Sequence, residues 1–137
     1  MTEALTLGDR SSDTGWFMAD DPQPVFIVED HRSIREGLQS LLSARGFPVL
    51  VAASGEEALR MLATCQPRVL LLDMMLPGIS GAELLATLRK ESRFADLAVV
   101  VVSAAPVTLT DVAAVVRKPP NVDRLIETVT RLYAAAA

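Results

Sequence analysis

A single cysteine, Cys65, stands among 137 residues. The chain therefore has no internal disulfide partner, and a cysteine-based zinc site is disfavoured. No apolar stretch reaches the ~18 residues of a membrane span. The acidic N-terminus lacks the apolar core of a secretory signal, so the expected compartment is the cytoplasm. There is no internal repeat and no excess of positive charge. Of the net charge of −4, all lies in residues 1–24, where five acids face Arg10, while residues 25–137 carry twelve charges of each sign. A body of zero net charge offers no broad basic surface to a phosphate backbone, so direct nucleic-acid binding is not expected. The length and the half-apolar composition suit one domain with a single sizeable core.

What is present divides at about residue 24. Residues 1–23 are rich in Thr, Ser, Asp and Gly without a sustained period and read as a flexible N-terminal arm, interrupted by Trp16-Phe17-Met18. Residues 24–137 read as the folded domain, in which short apolar runs alternate with amphipathic helices. The strands are expected at 25–28, 48–53, 69–72, 99–102 and in the latter half of 112–116. The first helix carries Ile34, Leu38, Leu41 and Leu42 at helical spacing, with Gly46 as its stop. Ser54 with Glu57, and Ser80 with Glu83, have the spacing of capping boxes opening the next two helices. Pro67 is the expected end of the helix that begins after Ser54, which places Cys65 late in that helix as a small core residue. Val122 to Tyr133 supplies the last helix. Five strands alternating with about five helices predict a doubly wound α/β sheet with right-handed crossovers.

The chemistry-bearing residues follow the apolar runs: Glu29-Asp30, Asp73, Ser103 and Lys118. In a parallel sheet these groups reach one rim, where ligands of open α/β folds bind. Alone, each has a bland reading as a solvated loop edge, a turn cap, a strand-end hydroxyl or a surface charge. Together, three carboxylates at one rim demand a cation, since each pair about 4 Å apart repels by roughly 4 kcal/mol at an effective dielectric near 20. A hard divalent metal and the Lys118 ammonium would supply it and would also hold a phosphoryl group.

The stretches Val25-Phe-Ile-Val-Glu-Asp-His31, Leu70-Leu-Leu-Asp73-Met-Met-Leu-Pro77-Gly-Ile-Ser-Gly81, Val99-Val-Val-Val-Ser103-Ala104 and Arg117-Lys118-Pro119 together resemble the receiver domain of two-component response regulators, over roughly residues 25–133. The resemblance implies a flavodoxin-like five-stranded parallel sheet of order 2-1-3-4-5. It implies phosphoryl transfer from a histidine kinase or histidine phosphotransferase onto Asp73, with Mg²⁺ held by Glu29, Asp30, Asp73 and the backbone carbonyl of Met75. Lys118 would hold a phosphoryl oxygen, Ser103 would donate its hydroxyl to the phosphoryl group, and Lys118-Pro119 would be a cis peptide. Such a domain catalyses only its own phosphorylation and dephosphorylation and acts by switching its binding to a downstream protein. A weak homodimer is left open. Ile34, Arg35 and Leu38 on the first helix are the implied kinase-docking candidates, and His31 is expected to be exposed in a loop without a catalytic role.

The chain departs from that pattern in two places. Ser103 and Lys118 are only 15 residues apart, so the fourth helix is expected to be short or absent. Val115 stands where the family's switch usually rotates an aromatic ring, so any activation signal is expected to travel through the loop around residues 103–107. Met75 and Ala105 occupy positions that tune attack by water and cannot orient one, so slow self-dephosphorylation is expected. Tyr133 followed by four alanines reads as the end of a single-domain receiver without an output module. The alternative is a phosphorylation-independent pseudo-receiver that only binds protein. A haloacid-dehalogenase-type phosphatase is disfavoured, because Met75 stands where that chemistry needs a second acid.

Overall fold

A computed structural model of the chain describes residues 23–104 and 111–136. Five parallel strands, β1 (Val25–Val28), β2 (Val49–Ala52), β3 (Val69–Asp73), β4 (Ala98–Ser103) and β5 (Ala114–Arg117), form one sheet in the order β2-β1-β3-β4-β5. Four α-helices, α1 (Arg32–Ala44), α2 (Gly55–Leu62), α3 (Gly81–Arg89) and α4 (Val122–Ala135), connect and cover them. A 3-10 turn, Ser92–Phe94, precedes β4. This is the flavodoxin-like doubly wound architecture expected from the sequence.

Side chains of successive strand residues point to opposite faces, and both faces are apolar because both are covered. Phe26, Val28, Leu70, Leu72, Val99 and Val101 pack with Ala58 and Leu62 of α2 and Leu84, Leu85 and Leu88 of α3. Val25, Ile27, Val69, Leu71, Val100 and Val116 pack on the other side with Leu38 and Leu42 of α1 and Leu125, Ile126 and Val129 of α4. Ser54 accepts the Glu57 N–H, and Ser80 with Glu83 closes a full capping box, so the helices start where those motifs stand. At the N-terminal pole of the sheet, Tyr133 meets Phe47 edge-on with centroids 5.1 Å apart, lies 4.4 Å under the Arg68 guanidinium and donates its hydroxyl to the Gln23 carbonyl.

Four expectations need correction. The second helix stops at Leu62, five residues before Pro67, because the Arg93 guanidinium donates to the Leu62 carbonyl at 2.5 Å and caps it there. Cys65 is buried as expected but lies in the loop between α2 and β3. Leu38 is core, 6% exposed, and Ile34 packs partly against the same cluster, so neither apolar side chain stands free on α1 for a partner. The count of about five helices is four, plus the 3-10 turn, among the described residues. No helix includes residue 104 or residues 111–113, while 105–110, with Ala105 and most of the 103–107 loop, lie outside the described residues. So do residues 1–22, including Trp16-Phe17-Met18. Among the described residues no helix is long and apolar enough to cross a membrane.

Burial pushes the Cys65 thiol up to about 11, against a smaller opposing pull from the Arg93 charge. At pH 8 only about one native molecule in a thousand would carry the thiolate that alkylates. Iodoacetamide should therefore modify the folded protein far more slowly than the same chain in guanidinium chloride, read by intact mass over time.

Candidate functional site

The strand register brings the acidic, hydroxyl and ammonium groups to one rim. Val28 is level with Leu72, so Glu29 and Asp73 are level as the next residues of neighbouring strands. Asp73 pairs with Val102 and Ser103 with Arg117, which sets Ser103 and then Lys118 each one residue further along. The Lys118 N–H donates to the Ser103 carbonyl at 2.8 Å and extends the β4–β5 ladder to the residue that carries the ammonium. The Lys118-Pro119 peptide is cis.

Lys118 Nζ lies 2.9 Å from Glu29 Oε1 and 3.3 Å from Asp73 Oδ2. The other carboxylate oxygens accept backbone donors: Glu29 Oε2 from the His31 N–H at 3.1 Å, and Asp73 Oδ1 from the Met75 N–H at 3.0 Å. Glu29, Asp73 and Ser103 are buried, whereas Asp30 is exposed beside them. One oxygen from each of Glu29, Asp30 and Asp73 lies within 4.8 Å of the others. The structure thus brings together Glu29, Asp30, Asp73 and Lys118, sets Ser103 on the adjacent strand end, and ties the Met75 backbone to Asp73. The Met75 side chain is 72% exposed at the rim. His31 is exposed at the start of α1, and its side chain makes no capping hydrogen bond.

Burial raises the Glu29 pKa, and the nearby Asp73 charge adds to it. The Lys118 hydrogen bond and charge and the His31 N–H oppose the rise without cancelling it. For Lys118, burial alone favours the neutral amine, but the hydrogen bonds and charges of Glu29 and Asp73 outweigh it and raise the pKa. Each partner therefore holds its proton more tightly than in the unfolded chain.

Several contacts around the site are not signalled in the sequence, although Pro77-Gly78 reads there as turn chemistry and Arg35 as a docking candidate. Glu56, in the first turn of α2, is not singled out there, its one local signal being an acid at a helix N-terminus. In the fold its Oε2 accepts the Ile79 N–H at 3.2 Å and braces the loop between Asp73 and α3. That loop turns at Gly78, whose φ of +69° few other residues adopt. A Cβ at Gly81 would fall 2.4 Å from the Asp73 carbonyl oxygen, so only glycine lets α3 begin this close to the acceptor strand. Arg35 donates to the Glu29 carbonyl at 3.0 Å and the Asp30 carbonyl at 3.2 Å. It is an anchor of the acidic turn more than a free docking group.

Residues 25–130 match the family model of the response regulator receiver domain. The chain belongs to that family. Among curated relatives, response regulator MprA of Mycobacterium ulcerans (strain Agy99) is 40% identical over 80 residues, which is 58% of this chain and 34% of that protein. MprA of Mycobacterium tuberculosis (strain ATCC 25177 / H37Ra) is 42% identical over 65 residues, 47% of this chain and 28% of that protein. The chain spans about a third of the length of the curated relatives it matches. Among solved structures, the receiver domain of the Francisella response regulator 1452 superposes with a TM-score of 0.77 at 28% identity, covering 85% of this chain and all of that one. TrrA of Thermotoga maritima, solved in complex with Mg²⁺-BeF, gives 0.72 at 30% identity over 80% of this chain and 98% of that one.

Removing the Lys118 ammonium leaves two buried carboxylates facing each other. Lys118→Met should lose stability at neutral pH, by less than the ~3–5 kcal/mol of a fully enclosed pair because the rim opens to solvent at Asp30. Glu29 already binds its proton more tightly in the folded state, so protonation there favours folding at low pH, and this benefit is lost as the pH rises through its folded pKa. The deficit of the variant should therefore shrink in mildly acidic buffer, read by urea unfolding of both proteins.

Proposed function

We propose that this receiver domain accepts a phosphoryl group on Asp73 from a phosphohistidine of a histidine kinase or histidine phosphotransferase, with Mg²⁺ required, and that the modification alters its binding to a downstream protein. The observation that carries this reading is Lys118 Nζ poised between Glu29 and Asp73 with three carboxylate oxygens within 4.8 Å of one another. Such a cluster of hard oxygen donors, one of them on an exposed side chain, fits a small divalent cation. Glu29, Asp30, Asp73 and the Met75 backbone carbonyl would hold Mg²⁺, the metal that the Thermotoga neighbour was solved with. Bound there, it would neutralise phosphoryl oxygens and ease the approach of an anionic nucleophile.

The chain's own groups do the rest. A carboxylate oxygen of Asp73 attacks phosphorus, the P–N bond to the donor imidazole breaks, and the nitrogen keeps the electron pair and takes a proton. Asp73 becomes a mixed carboxylic–phosphoric anhydride. Lys118 already touches Asp73, so a phosphoryl oxygen bound there comes within reach of the same ammonium. Ser103, next in register, donates its hydroxyl to another. The donor is spent and only the protein is modified, so the domain acts on itself and is not an enzyme with a separate turnover substrate. The cytoplasm, where such donors reside, is the compartment this reading requires.

Incubation with acetyl phosphate and Mg²⁺, followed by intact mass, should add one phosphoryl group to the wild type and none to Asp73→Asn or to the wild type with chelator. No adduct on the wild type would favour the pseudo-receiver reading. The adduct itself should be long-lived. The exposed Met75 side chain has no hydrogen-bonding group to orient an attacking water, so after removal of the donor the mass should decay over minutes or longer. Loss within seconds would contradict that role for Met75.

A further inference from the structure

The Arg89 side chain, at the end of α3, gathers four backbone carbonyls. Its Nη1 donates to Phe94 at 2.8 Å, Ala95 at 3.2 Å and Leu97 at 3.0 Å, all in the corner that leads into β4. Its Nη2 donates at 2.6 Å to the carbonyl of Asp111, on the chain that enters β5. The Asp111 carboxylate is only a distant ion partner at 3.9 Å and is half-exposed. The chain is thus gripped by its backbone just before the strand begins.

Apart from its ladder to β4, which the Ala113 N–H extends to the Val99 carbonyl at 2.8 Å and the Lys118 N–H to the Ser103 carbonyl at 2.8 Å, β5 has few holds among the described residues. Among the described residues it is a four-residue edge strand with β4 as its one strand neighbour. Val116 packs against the α1–α4 side, but Val112 and Val115 are only partly buried on the other. Yet this strand delivers Lys118. A slip of one residue along β4 would shift the ammonium by about 3.3 Å and turn it toward the opposite face, losing both the 2.9 Å and the 3.3 Å contacts.

We propose that Arg89 is a positioning residue for Lys118: by fastening Asp111 to the α3–β4 corner it fixes the register of β5, and with it the ammonium at the acidic rim. The consequence for phosphorylation rests on the reading of Asp73 as phosphoacceptor, whereas the consequence for strand register does not. Two measurements on Arg89→Met therefore separate the two. Amide hydrogen exchange should quicken about tenfold or more over residues 113–118 while residues 25–28 and 69–73 keep their protection. Phosphorylation by acetyl phosphate with Mg²⁺ should slow by about tenfold, in line with loss of an oriented charge. Asp111→Ala keeps the carbonyl and should match the wild type in both. If Arg89→Met does not fold, Arg89→Lys, whose single nitrogen cannot span four carbonyls, should show the same localised exchange. Unchanged protection over 113–118, exchange raised equally across the sheet, or failure of both variants to fold would overturn the proposal. A wild type that takes no phosphoryl group would remove the proposed function and leave the exchange test standing.

Discussion

The Lys118 ammonium, 2.9 Å from one buried carboxylate and 3.3 Å from another, is the contact on which the rest of the molecule converges. Glu29 and Asp73 are both sheltered from water on adjacent strands, and like charges so placed oppose folding unless a cation sits between them. That cation arrives from the far edge of the sheet, two strands beyond Asp73. The order of the strands, the stagger of their register and the tie from Lys118 to the Ser103 carbonyl therefore all bear on one pair of distances. The apolar layers above and below hold these strands in place, as burial of apolar surface is the dominant favourable contribution to folding.

Much of this architecture is written plainly in the chain. Runs such as Val69–Leu72 and Val99–Val102 are apolar at every position, which suits strands covered on both faces. The capping residues Ser54 and Ser80 announce their helices through local hydrogen bonds that need no tertiary context. Glu29, Asp30, Asp73, Ser103 and Lys118 were legible as a group because a parallel sheet sends all strand ends the same way. Their separation in sequence is large, but the topology that closes it is itself periodic and readable.

What escaped the reading depends on long side chains reaching across the fold. Arg93 ends α2 from the 3-10 turn 31 residues away, a contact with no trace in the helix's own sequence. Glu56 supports the loop after Asp73 from another helix, and Arg89 joins two connections that only the folded chain brings together. Leu38 shows the opposite problem: the spacing that marks an amphipathic helix does not say which apolar residue meets the sheet and which remains for a partner. Arginine and glutamate on helix surfaces are common, and their targets here are mostly backbone groups. Composition carries no record of such choices.

The Tyr133 cluster gathers the first described residue, Gln23, and the end of α4 at one pole. Gln23, where β1 is about to begin, and the last turn of α4 meet there, while the acidic rim occupies the other pole, a strand length away, or roughly 13–17 Å for four or five residues. A fluorophore or affinity handle placed beside Gln23 or the last turn of α4 would thus start from the side remote from the acidic rim. A tether attached there leaves the rim of Glu29, Asp73 and Lys118 on the opposite side of the described residues.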